Sequence, residues 1–352
     1  PTRAGRGVFR RSELPVEASH GTAESRPRDR VGSIQTARRR ARRRCRSVHA
    51  APESGTDRRR RAGFGSEFRV AFHARGRPRL LATRNDNYVA SLSSPLRPDF
   101  WRAPTDNDRG RNNEKSQGLW RTAHEGAQPQ AFAATKQADT VEVRLTSRLP
   151  KAGDALWTTT YAIRGNGEVE VTAEFRPAKT DLPKLARLGM QMILPASFDR
   201  ITWFGPGPEE TYSDRKDARV GIHHGLVAEQ FYRHYSEPGE SGNKVDVRWV
   251  ALTSGKGAGL LASGLPLLSV NAAQHTSDDL QGPKHAYEIP RRDFTVLNLD
   301  LKQQGLGGDD SWGAWPHEEF QIPCQEYRYS FRLRPIAPGE NLDRTTSVVS
   351  RR

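Results

Sequence analysis

Residues 169–175 read VEVTAEF, and that alternation decides the fold. A β-strand turns successive side chains to opposite faces, so a period of two puts Val169, Val171, Ala173 and Phe175 on one side and the polar residues on the other. The habit returns at 141–145 (VEVRL), 245–249 (VDVRW), 294–301 (FTVLNLDL) and 327–333 (YRYSFRL). Residues 188–194 (LGMQMIL) are more continuously apolar and suit a strand covered on both faces. Gly165-Asn166-Gly167, Ser254-Gly255-Lys256-Gly257 and the glycines of 305–308 punctuate these runs as turns. No segment carries a long 3.6-residue apolar rhythm, and 225–235 reads equally as a short helix or a loop. Many short strands with frequent turns predict an all-β protein, a sandwich or a barrel.

Outside that body the composition changes. Residues 1–61 hold 18 arginines, no lysine and 6 acidic residues, a net of +12 out of the chain's +15. Residues 1–65 have too little apolar surface to offset the entropy of ordering and read as a disordered Arg-rich tail. A basic arm suggests nucleic acid. This one lacks the interleaved aromatics on which bases stack, which argues against that partner. Residues 66–338 form the expected β-domain, and 339–352 a loose C-terminal tail. The two cysteines, Cys45 and Cys324, make neither a disulfide framework nor a zinc pattern. They fit a reducing compartment, so a cytoplasmic location is expected. No apolar run is long enough to span a membrane and none resembles a secretory signal. The chain opens on Pro1 rather than Met, which hints at a fragment or a doubtful start.

Four segments carry chemistry. Residues 96–110, LRPDFWRAPTDNDRG, join a buried-type pair, Phe100-Trp101, to an acidic turn. Arg102 with Asp106, Asn107 and Asp108 makes a network of charge-assisted bonds that staples a loop. An EF-hand needs more ligands at fixed spacing, so calcium is rejected. Residues 203–215, WFGPGPEETYSDR, contain Glu209 and Glu210. Adjacent carboxylates point to opposite sides of an extended chain, and a retaining glycosidase needs its pair facing across a sugar. They read as a turn anchor and an interface residue. Residues 242–249 are GNKVDVRW. Residues 305–313, GLGGDDSWG, form a tight glycine loop. There Asp309 and Asp310 can accept from the loop's own N–H groups. Trp312 then projects from a rigid base as a platform for a sugar ring, or packs beneath the loop as core.

In order and spacing these four segments resemble the C-terminal domain, the small-chain region, of the bacterial β-galactosidases of glycoside hydrolase family 2. The resemblance spans roughly residues 68–335. It implies a large antiparallel sandwich of the galactose-mutarotase-like type, two broad sheets packed face to face. It also implies a share in hydrolysing terminal β-D-galactosides such as lactose with retention. The family's two glutamates, and the residues that hold its Mg²⁺ and Na⁺, lie in other domains. No catalytic residue, metal ligand or cofactor is therefore expected in this chain, which is expected to be inactive alone. Its implied partners are a β-galactoside and a large chain, or missing N-terminal domains, bearing the catalytic barrel; self-association is left open. By the same resemblance Trp312 corresponds to an indole that reaches the active site from this domain. Gly110 corresponds to the glycine that opens a mobile loop, here the polar 111–117 (RNNEKSQ).

The alternative is a standalone carbohydrate-binding or aldose-epimerase-like protein. It would pair a histidine (among His223, His224, His234, His275 and His285) with a glutamate such as Glu209 or Glu288 as acid and base. Fold alone does not decide between these.

Overall fold

A computed structural model describes residues 46–49, 69–72, 78–81, 94–137, 140–179, 181–310, 312–340 and 342, with side chains from residue 96 onward. Three short strands, β1 (Arg46–His49), β2 (Arg69–Phe72) and β3 (Pro78–Leu81), form an antiparallel sheet. β1 falls within the stretch read as a disordered tail; its partner is the backbone of β2, a ladder that does not depend on apolar side chains. The other expectations for residues 1–65, and those beyond 342, lie outside the described residues.

The remaining strands are β4 (Ser94–Asp99), β5 (Gln128–Gln137), β6 (Thr140–Leu149), β7 (Ala155–Arg164), β8 (Val169–Arg176) and β9 (Arg187–Pro195). They continue with β10 (Arg200–Gly207), β11 (Arg219–Leu226), β12 (Lys244–Thr253), β13 (Gly259–Ala273), β14 (Phe294–Gln303) and β15 (Tyr327–Ile336). All twelve belong to one antiparallel network, so the protein is all-β as expected. The hydrogen bonding does not divide into two separate sheets. It forks at β13, whose residues 259–265 pair with β15 and whose residues 269–273 pair with β14. One branch runs β15-β8-β7-β6-β5, the other β14-β9-β4.

The branches face each other across a common core. Phe100, just after β4, meets Trp157 of β7 edge-on at 5.5 Å and Phe175 of β8 at 5.4 Å. Trp120 closes the group at 5.7 Å from Phe100 and donates its indole N–H to the Pro183 carbonyl. Val169, Val171, Ala173 and Phe175 are all buried, as the alternation requires. β9 is buried on both faces over residues 187–192.

β12 breaks its own pattern. Val247 joins the main core, but Trp249, two residues on, joins a separate cluster with Ala251, Leu261 and Ile336. Register shifts between 244 and 249 and a left-handed Asp246 (φ 55°) turn the strand over. An extra residue in a ladder reverses which face later side chains meet.

A charged cluster ties β4, β9 and β14 together. Arg187, fully buried, lies 3.2 Å from Asp99, 2.9 Å from Glu240 and 3.2 Å from Asp300. Asn271 and Gln303 also donate to Glu240, and Asn298 to Asp99. Burial, with Asp99 and Glu240 adding to it, holds the Asp300 carboxyl well above the usual range, although Arg187 pulls the other way.

Candidate functional site

The four sequence segments meet at one place. The first forms α1 (Asp106–Gly110), started by a capping box: Thr105 Oγ1 accepts from Asp108 N–H, and Asp108 accepts in return from Thr105 N–H. Asp108 is buried and binds Arg102 through both oxygens at 3.0 Å. Burial alone would raise this carboxyl, but the Arg102 guanidinium, with Arg111 beyond it, leaves it below its ordinary value. Arg102 in turn donates to the carbonyls of Gln304 and Gly305, the entrance of the glycine loop. The staple expected of Arg102 and Asp108 is therefore present. Asn107 does something more: its amide donates to the Leu306 and Gly307 carbonyls. Asp106, on the exposed side, takes hydrogen bonds from Arg109 and Ser236.

The second segment reaches the same loop. Asp214 accepts from the N–H groups of Leu306 (2.9 Å) and Gly307 (2.8 Å). Glu210 accepts from Tyr212, Tyr235 and the N–H of Gly242, which opens the third segment. Glu210 is thus the turn anchor, while Glu209 is exposed. Thr211 and Asn243 exchange backbone and side-chain bonds at 2.7 and 3.0 Å. Lys244 is buried beside them, its ammonium donating to Gly242 O and lying 5.0 Å from the Trp203 ring. Burial pulls its pKa down to about 8, against the attraction of Glu210 and Glu209. A cleft of about 130 Å³ opens between these elements, walled by Asp106, Asn107, Glu210, Tyr212, Tyr235 and Leu306 among others.

The loop presents Trp312 to solvent, 64% exposed, so its indole is not a core side chain. Asp310 accepts from the N–H groups of Trp312 and Ala314 at 3.1 and 2.9 Å, as expected. Asp309 takes another partner: its carboxylate meets the His317 ring at 2.6 Å and raises that imidazole's pKa. Gly110 packs against the loop: a Cβ built on it would lie 3.0 Å from Gly313 N and Cα and 3.1 Å from the Trp312 ring. The structure thus brings Gly110 and Trp312 together.

Residues 111–117 are a loop only at 111–112, which form a turn. After Asn112 in the left-handed region (φ 55°) the rest form α2 (Asn113–Gln117), with Asn113 and Gln117 buried. Arg111 was missed from the sequence, where it reads as one more surface charge. It contacts Asp108, the Leu306 carbonyl (3.3 Å), the Ala314 carbonyl (3.4 Å) and the face of Trp315 (4.8 Å). Burial lowers its pKa, with Asp108 opposing. Asp214 was missed as well. Its value depends on a segment some ninety residues away, which no local pattern reveals.

Among the described residues no His, Cys, Asp and Glu side chains group as metal ligands would. None of them pairs a histidine ring with a glutamate: Glu288 accepts backbone N–H groups of Lys284 and His285. His275 is neutral, its pKa lowered to about 4 by burial, and packs edge-on against Phe231. No helix of the described residues is long and apolar enough to cross a membrane.

Comparison with known proteins gives this arrangement a family. The model of the β-galactosidase small chain matches residues 64–333. The chain is 35% identical over 247 residues to a β-galactosidase of Priestia megaterium, covering 70% of this chain and 24% of that protein. It is 31% identical over 266 residues to a β-galactosidase of Lactobacillus delbrueckii subsp. bulgaricus, covering 75% and 26%. It therefore spans about a quarter of the length of these relatives. Among solved structures, galactose 1-epimerase from Lactobacillus acidophilus aligns over 84% of this chain and 100% of its own, with 10% identity and a TM-score of 0.38. The α-galactosidase AgaA from Geobacillus stearothermophilus aligns over 84% and 41%, with 9% identity and a TM-score of 0.39. On the match over residues 64–333, the chain belongs to the β-galactosidase small-chain family.

Proposed function

We propose that this chain is the small-chain portion of a glycoside hydrolase family 2 β-galactosidase. It completes the substrate pocket of a catalytic part carried elsewhere. Joined to that part, it serves the hydrolysis of terminal β-D-galactosides, lactose among them, with retention of configuration. The acid, the nucleophile and any Mg²⁺ or Na⁺ belong on this reading to the catalytic part. What this chain lends is one wall: the Trp312 indole, whose apolar face stacks on a sugar ring. The observation that carries the reading is the exposure of Trp312 on a loop braced from two other segments by Arg102, Asn107 and Asp214. An exposed indole on a floppy loop would lose entropy on stacking, whereas a braced one is already placed.

The test is complementation. Pure chain should not turn over nitrophenyl galactoside. Mixed with the catalytic portion of the Priestia megaterium β-galactosidase, it should restore hydrolysis. Trp312→Ala should then raise KM for lactose by about tenfold, the loss of one stacking contact worth about 1.4 kcal/mol. An unchanged KM would remove Trp312 from the site, and turnover by the chain alone would overturn the division of labour.

A further inference from the structure

We infer that Arg111 is a further positioning residue of the Trp312 loop, the cation that draws its two arms together around the indole. This deepens the reading of Trp312 as a sugar platform and rests on it for its functional meaning, but not for its geometry. Three contacts define the role. One guanidinium nitrogen faces two carbonyls, Leu306 at 3.3 Å and Ala314 at 3.4 Å. These lie on opposite sides of Trp312 in the chain, so one donor gathers both arms of the loop. The central carbon of the same guanidinium lies over the Trp315 ring, 4.8 Å from its centroid and within reach of a cation–π contact. Its other terminal nitrogen is held by Asp108, a carboxylate already fixed by Arg102 and by the N-cap of α1.

The chemistry requires arginine. A planar fork can bind a carboxylate with one nitrogen, donate to carbonyls with the other and stack its face, all at once. An ammonium has three donors, but they radiate from one atom, so it cannot spread them between the carboxylate and the carbonyls as a fork does, and it has no planar face to lay on Trp315. Arg111 also sits one residue after Gly110, whose own missing Cβ lets Gly313 and Trp312 approach. Glycine and arginine together hold the loop from below: the first by leaving room, the second by pulling it in. Arg111 does not act on substrate; it acts through Trp312.

The experiment uses the full chain labelled with 5-fluorotryptophan, in which Trp312, Trp120 and Trp157 are assigned by single Trp→Phe substitutions. Arg111→Met keeps the stem and removes the fork; Arg111→Lys keeps the charge. Both should broaden or split the Trp312 fluorine resonance while Trp120 and Trp157, in the core, stay in place. Arg111→Lys guards against a variant that fails to fold, since it keeps the pairing with Asp108. In the complemented enzyme each should raise KM for lactose with little change in kcat. A Trp312 resonance that superimposes on the parent's in Arg111→Lys would overturn the proposal. The spectrum is read on the isolated chain, so it judges Arg111 even if Trp312→Ala shows that the indole touches no sugar.

Discussion

Gly110 and Gly313 are in backbone contact: a methyl group on the first would lie 3.0 Å from the N and Cα of the second. Two segments some two hundred residues apart are therefore fitted to each other at a point where neither carries a side chain. The Trp312 loop rests on that point. Alanine at 110 should force the loop away, costing about 1–3 kcal/mol as an overpacked contact does. Urea unfolding of Gly110→Ala measures the cost, and acrylamide quenching of tryptophan fluorescence reports the displaced indole. Parent-like values of both would mean that the close approach is slack.

Asp214 accepts two adjacent N–H groups of the same loop, those of Leu306 and Gly307. Asp214→Ala leaves both without their acceptor, and roughly 1–3 kcal/mol of stability should go with it. Hydrogen exchange should show the amides of 306 and 307 losing protection before those of β14. Uniform protection across both regions would contradict this.

Asp108 predicts a pH dependence. Its pKa is lowered in the folded state, so its contribution is complete above the unfolded value of 3.8 and is lost as pH falls through the lower folded value. Asp108→Asn removes the countercharge of buried Arg102 and should cost about 3–5 kcal/mol at neutral pH. The gap between parent and variant should close in strong acid. A gap of the same size at both extremes would show that the carboxylate is not what holds Arg102.

Lys244 gives a slope of the same sign in a different range, the alkaline one. Its pKa is lowered from 10.5 to about 8 by burial, so the folded state sheds this proton more readily than the unfolded one. Between those values stability should rise with pH, by about 3 kcal/mol over the whole interval. Lys244→Met should show none of this rise, since methionine fills similar space without a charge. Chemical denaturation of both proteins at pH values on either side of the interval separates the lysine from other groups that titrate there.

Much of the fold is legible in the sequence because its signal is local. Val169, Val171, Ala173 and Phe175 declare one face of β8 by alternation alone, and all four are buried. The same rule misleads in β12: Val247 and Trp249 should share a face, but the bulge at Asp246 sends them to different clusters. A bulge is set by the partner strand's register, which no single run of residues contains. The site divides likewise. The pairing of Arg102 with Asp108 and the capping by Asp310 act within a few residues and can be anticipated. Arg111 and Asp214 are different, because their partners lie on a loop that only the folded chain brings near. The helix α2 was hidden for the related reason that RNNEKSQ is polar throughout. What buries Asn113 and Gln117 is tertiary contact: the Gln117 amide reaches the Lys184 carbonyl and the Gln304 side chain.

The fork at β13 has a mechanical consequence. Its fifteen residues serve as the seam for both branches, pairing with β15 through one half and β14 through the other. The layers cannot be peeled apart as two separate leaves, because any crack between them must run through a continuous stretch of polypeptide. Such an architecture resists shear like a folded plate creased along one line, and it gives whatever is mounted on its rim a stiff foundation.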